Sequence, residues 1–150
     1  MADLRGKAAL VTGGRQGIGR ATALALARAG ADVAVADIIA DDGRLEAAVR
    51  KIASLRRRSL AVPADVSQSQ QVEDMVHRVT GEFGKLDILV NCAGVWQMGL
   101  ALLDCPEEDW DRIVDTNLKG TYLCCREAGK VMREHGGGSH QSGAGPQHQR

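Results

Sequence analysis

Short, nearly all-apolar runs alternate along this chain with longer segments in which apolar residues recur every three or four positions. The runs are residues 8–11, 33–36, 60–62 and 86–90. Runs this brief, with little polar alternation, predict strands covered on both faces. The longer segments predict amphipathic helices. Residues 17–29 are rich in Ala and Leu, and Gly30 stands where a helix stops. Leu45, Ala48, Val49 and Ile52 mark a second helix, and Val72, Met75, Val76, Val79 and Phe83 form a third stripe at i, i+3, i+4, i+7 and i+11. In the last and longest helix, Pro106 suits the first turn, and Glu107, Glu108 and Asp109 suit the positive end of the helix dipole. Its stripe of Trp110, Ile113, Val114, Asn117, Leu118 and Thr121 is expected to be buried, with the helix running to about Arg133.

Four strands each followed by a helix predict a parallel sheet with right-handed crossovers. That is one half of a Rossmann-type doubly wound α/β fold, truncated after about four strands. Periodicity then stops. Residues 136–150 hold five glycines, three glutamines and two histidines, with no Val, Ile, Leu or aromatic residue. Such a segment cannot supply a buried strand. The expected organisation is a nucleotide-binding half-domain over residues 1–135 and a disordered tail over 136–150.

Composition narrows the function classes. The 150 residues are 44% hydrophobic and 25% charged, ordinary for a globular domain. Nineteen basic and nineteen acidic side chains cancel, so no overall field points to nucleic acid or an anionic membrane. The basic run Arg56-Arg57-Arg58 falls at an expected helix end, where cations oppose the dipole. No apolar run approaches the ~18 residues of a membrane span, and the first residues lack the apolar core of a signal peptide. Four cysteines without a C-x-x-C pair read as reduced structural thiols, and no metal-ligand spacing occurs. The expected setting is the cytosol, with no nucleic-acid, membrane or metal partner.

The first strand leads directly into Thr12-Gly13-Gly14-Arg15-Gln16-Gly17-Ile18-Gly19, which opens the first helix. Glycines there permit a tight turn and let a pyrophosphate approach the backbone. The helix N-terminus offers that anion free N–H groups. A P-loop is excluded, because Arg20 and Ala21 follow Gly19 rather than Lys and a hydroxyl residue. Asp37 ends the second strand, 18 residues after Gly19, where a carboxylate accepts hydrogen bonds from an adenosine ribose and repels a 2′-phosphate. This favours NAD over NADP. Arg15, in the loop, pulls the other way. Asn91, Ala93 and Gly94 follow the fourth strand, at the crevice of an open parallel sheet. Asn117 stands in the helix stripe where Ile or Leu would pack more cheaply, so its amide is expected to find partners.

Together these residues resemble the short-chain dehydrogenase/reductase family over about residues 3–139. The loop of residues 12–19 matches the family's T-G-x-x-x-G-I-G motif. Asp65-Val66 matches the D-V segment that lies at the adenine ring in family members. Asn91-Cys92-Ala93-Gly94 matches N-N-A-G with Cys92 in place of the second asparagine, and Asn117-Leu118-Lys119-Gly120 matches N-x-x-G. The resemblance implies a dinucleotide held by Thr12, Gly13, Arg15, Gln16, Gly17, Ile18, Gly19, Asp37, Asp65, Val66, Asn91, Ala93 and Gly94. It places Asn117 in a water-linked proton relay. It also implies hydride transfer between nicotinamide and a small alcohol or carbonyl substrate, and a possible homo-oligomer.

In the family a serine polarises the substrate oxygen, and a tyrosine in Y-x-x-x-K is the general acid/base, its pKa lowered by the lysine. Here the sole tyrosine, Tyr122, is followed four residues on by Arg126 and lies only five residues after Asn117. It is expected to be a decoy. Ser139 and Ser142 lie in the aperiodic tail, and a shifted or truncated reading frame after Ser139 is the expectation there. Without the Ser/Tyr/Lys segment, these residues are expected to be inactive alone. The alternative is a non-catalytic NAD-binding or subunit-interaction module.

Overall fold

A computed structural model of the chain describes residues 2–96 and 101–136. The strands are β1 (Ala8–Thr12), β2 (Asp32–Asp37), β3 (Ser59–Pro63) and β4 (Ile88–Asn91). The helices are α1 (Gly17–Arg28), α2 (Arg44–Ser54), α3 (Ser69–Phe83), α4 (Glu107–Val114) and α5 (Gly120–His135). The strands pair in parallel in the order β3-β2-β1-β4. The predicted α/β architecture is therefore the observed one. The tail expected over 136–150 lies, beyond Gly136, outside the described residues.

Side-chain alternation along the strands divides the core into two layers. Ala8, Leu10, Ala34 and Ala36 pack against Val72, Met75, Val76 and Val79 of α3 and Leu123, Cys124 and Ala128 of α5. Ala9, Val11, Val33 and Val35 point the other way, against Ala23 and Ala27 of α1 and Leu45 and Ile52 of α2. All five residues of β1 are buried, because strands flank it on both edges and helices cover both faces. The chain proceeds outward from β1 to β2 and β3, then returns to place β4 on the opposite side of β1. That reversal opens a crevice at the carboxyl ends of β1 and β4.

One strand boundary needs correction. The fourth strand begins at Ile88 rather than Leu86. Leu86 is buried, but Asp87 starts the ladder with its N–H bonded to Ala8 O (2.9 Å), while its carboxylate accepts from Ala8 N–H (2.9 Å). Both faces of β4 are covered as expected, Leu89 against one layer and Ile88 and Val90 against the other, yet β4 is less enclosed than β1. Each of its four residues is only half-buried, because β4 is the sheet's edge.

The final helix departs further. Between α4 and α5 lies a π-helical turn, Asp115–Lys119, and α4 has no buried residue. Trp110 is 57% exposed and Leu118 70%, and Asn117 is exposed as well. The buried stripe instead begins at Gly120 and runs through Leu123, Cys124, Glu127, Ala128 and Val131. A wide turn rotates the face of everything after it, so one 3.6-residue pattern cannot describe both sides. The arginine run makes specific bonds: Arg57 donates to Gly30 O (2.9 Å), and Arg58 pairs with Asp32 (2.8 Å).

Candidate functional site

A cleft of about 510 Å³ lies at the carboxyl ends of the strands. The glycine loop forms its floor. Gly13 has φ +63°, and a Cβ there would stand 2.6 Å from Ala93 N, so only glycine lets the β1 turn meet the loop after β4. At Gly19 a Cβ would stand 2.1 Å from Gly13 O, so the first turn of α1 packs directly on the loop. No side chain caps α1, and no acidic residue occupies its first turn. Its N–H groups and dipole thus face the cleft without an internal anion, the arrangement that binds phosphate.

Of the predicted residues, Gly13, Arg15, Gln16, Gly17, Ile18, Gly19, Asp37, Asp65, Val66, Ala93 and Gly94 all line this cleft. The side chain of Asp37 is 13% exposed. One of its oxygens accepts from Ile39 N–H (3.1 Å), the other from Arg15 N–H (3.3 Å). Asp65 accepts from both the N–H (2.9 Å) and the hydroxyl (2.7 Å) of Ser67, which fixes the turn ahead of α3. Val66 lies between the cleft and Gly120 at the start of α5, where a Cβ would stand 2.6 Å from Val66 Cγ2.

Thr12, Asn91 and Asn117 do not line the cleft; they brace its walls. Thr12 is buried, and its hydroxyl accepts from Ala93 N–H (3.2 Å), tying the β4 loop to β1. Asn91 donates to Cys125 Sγ (3.4 Å), while its Oδ1 is buried without a partner. Asn117 is not buried, contrary to the stripe reading, yet its amide is fully engaged. Its Oδ1 accepts from Val95 N–H (2.8 Å), and its Nδ2 donates to Val95 O (2.9 Å). The hydroxyl of Thr121, in the first turn of α5, donates back to the Asn117 carbonyl (2.8 Å).

Sequence reasoning missed Ile38, Ile39 and Thr116 as cleft residues. Two isoleucines directly after a strand-ending aspartate, in a turn where polar residues are the rule, were the signal for the first two. Tyr122 is not among the cleft residues; the Arg126 guanidinium lies 5.3 Å from its ring centre and donates to its hydroxyl (3.3 Å). Among the described residues, no group of three or more His, Cys, Asp or Glu side chains is placed to hold a metal.

A parallel sheet with this reversal, this glycine turn and a strand-end carboxylate defines a dinucleotide-binding α/β protein. The comparison with known proteins narrows the class. The short chain dehydrogenase family model matches residues 7–140, and the chain belongs to that family, whose members bind NAD(P). It is 45% identical over 140 residues to a short-chain dehydrogenase/reductase of Armillaria gallica, a match covering 93% of this chain and 53% of that protein. A Burkholderia cenocepacia short chain dehydrogenase solved in complex with NADP superposes with a TM-score of 0.80 at 40% identity, over 86% of this chain and 52% of that one. Carveol dehydrogenase from Mycobacterium avium, solved in complex with NAD, gives 0.86 at 26% identity, over 93% and 54%. The chain spans about half the length of the curated relatives it matches.

Proposed function

We propose that this chain binds NAD, in preference to NADP, in the cleft at the carboxyl ends of its sheet. The observation that carries the reading is the Asp37 carboxylate in the cleft wall, within one cavity with the uncapped N-terminus of α1. Gly13, Gly17, Ile18 and Gly19 would hold the pyrophosphate and Asp37 the ribose hydroxyls, with Asp65 and Val66 beside the adenine. Arg15, Gln16, Ala93 and Gly94 would complete the walls, braced by Thr12, Asn91 and Asn117.

When bound, nicotinamide supplies or accepts a hydride. We propose that a protein of the relatives' full length uses it to interconvert a small alcohol and its carbonyl. Asn117 would then hold the Val95 backbone and help order a water-linked proton relay. The 150 residues themselves contain no Tyr-x-x-x-Lys segment. They are therefore expected to bind without turnover. Four unpaired thiols suit a reducing setting such as the cytosol.

The second reading, a binding module completed by another subunit, is favoured by the orphaned Asn91 Oδ1 at the end of the open edge strand. A covering segment or a second copy would supply its donor. Calorimetric titration tests the first claim: NAD binds more tightly than NADP. Oxidation of NADH with a panel of ketones tests the second. Clear turnover by these residues alone overturns the inactivity expectation, and absence of NAD binding overturns the site.

A further inference from the structure

Arg15 and Asp37 carry opposite messages about the cofactor, and the structure bonds a third residue to the arginine. Among the described residues lining the cleft, Arg15 is the cation, and Asp37 and Asp65 are the anions. An arginine near the ribose-binding carboxylate is the group that receives a 2′-phosphate. Here that arginine is engaged. Its side chain is 12% exposed, its Nη1 donates to Asp42 Oδ2, and its Nε stands 3.8 Å from Asp37 Oδ1.

Asp42 is itself anchored. Its Oδ1 accepts from Arg44 N–H (3.0 Å) at the start of α2, and Arg44 Nε stands 3.6 Å from its Oδ2. Arg44 Nη1 in turn donates to Gln16 Oε1 (2.7 Å), so the α2 entry is tied back to the glycine loop. The Arg44 N–H, opposed by burial and aided by the Arg15 and Arg44 guanidiniums, holds the Asp42 carboxyl below the usual carboxylate range. It is ionised at neutral pH.

We propose that Asp42 is a specificity-determining residue: it clamps the Arg15 guanidinium and so withholds it from a 2′-phosphate. The inference rests on the proposed dinucleotide site. Two carboxylates flank the one cleft cation. A 2′-phosphate must displace Asp42 from Arg15 and then sit beside both anions. A neutral 2′-hydroxyl faces neither cost. The buried Arg15 Nε has no hydrogen-bond partner, so the guanidinium keeps a donor to offer a phosphate once the clamp loses its charge.

The experiment compares 2′,5′-ADP with 5′-AMP, and NADP with NAD, by calorimetric titration of the 150-residue chain. Asp42→Asn removes the charge and keeps an oxygen for the Arg44 N–H. We expect it to raise the NADP-to-NAD affinity ratio about tenfold, the scale of one charge-assisted hydrogen bond regained. Arg15→Ala alone should change that ratio by less than about twofold, because the clamped arginine contributes little. In the Arg15→Ala/Asp42→Asn double variant the gain should vanish.

An unchanged ratio in Asp42→Asn, with NAD still bound, overturns the clamp and leaves the site standing. A gain that persists in the double variant also overturns it, since simple loss of negative charge would then suffice. If the wild-type chain binds neither nucleotide, the site falls and the clamp with it. If circular dichroism shows Asp42→Asn unfolded, Asp42→Ser, which also keeps an oxygen for Arg44, carries the same expectations.

Discussion

Asn117 stands on the helix surface, yet both ends of its amide are committed to the backbone of Val95. It therefore fastens the loop after β4 to the last helix. Asn117→Leu should cost about 1–2 kcal/mol for the lost bonds and should speed hydrogen exchange at the Val95 amide. Unaltered exchange at Val95 would show the loop to be held by other contacts. The sequence pointed to this residue for a partly mistaken reason. A polar side chain in an apolar stripe did mark a bonded amide, but no stripe residue was buried and the bond ran to a loop. The Arg15–Asp42 contact was less legible still, since it joins the ends of two different strand-to-helix turns. The sequence reads all four cysteines alike as reduced structural thiols, and here two neighbours differ. Burial, then the adjacent Cys125, pushes the Cys124 thiol up to about 12, whereas Cys125 is exposed. Iodoacetamide at pH 8 should label Cys125 in the native protein and spare Cys124 until denaturant is added. Tandem mass spectrometry separates the two. The native state holds the Cys124 proton more tightly than the unfolded chain does, so its contribution is present below pH 9.0 and declines as pH rises toward about 12.

At the scale of elements, the pattern reading succeeded wherever one period governed a whole segment. The α3 stripe of Val72, Met75, Val76, Val79 and Phe83 is buried as spaced. It failed in the final helix because the wide turn at Asp115–Lys119 breaks the period without a proline or a glycine cluster to announce it. Beyond that turn, α5 is positioned by Gly120, against which Val66 packs. Gly120→Val should overpack this contact, costing about 1–3 kcal/mol. A thermal melt checks it, and a variant as stable as wild type would mean that α5 can slide. On the same helix, the buried Glu127 accepts from Lys130 Nζ (2.9 Å) and Arg126 Nε (2.9 Å). Lys130 first, then Arg126, working against burial, hold its carboxyl below the ordinary 4.5. A carboxyl depressed in the folded state stabilises the protein above its unfolded pKa and loses that effect as pH falls through the folded one. Glu127→Gln should therefore flatten the decline in melting temperature below pH 4.5, with little added effect of pH above it. An acid limb of unchanged slope would assign the decline to other carboxylates.

For the molecule as a whole, the order β3-β2-β1-β4 leaves β4 as an edge whose residues are half-buried, while central β1 is wholly enclosed. That edge follows from the strand order, because β4, placed beside β1, has no described neighbour beyond it. Its unpaired N–H and C=O groups are a template for pairing with another chain. The cleft, in contrast, is built on β1, the best-buried strand, and on the glycine turn that leaves it. Ligand binding and edge pairing should therefore stabilise the fold by separable routes. A ligand that binds only the folded state adds RT ln(1 + [L]/Kd), about 2.7 kcal/mol at a hundredfold excess over Kd. For a domain of this size that is a rise of roughly 5–10 °C in melting temperature. Edge pairing depends on protein concentration instead. Melts recorded over a hundredfold range of protein, with and without saturating NAD, should show two effects: a NAD shift of similar size at every concentration, and a smaller rise with protein concentration present in both series. If the NAD shift appeared only at high protein concentration, the cleft would be complete only in an associated form. The binding site would then depend on the β4 edge being covered.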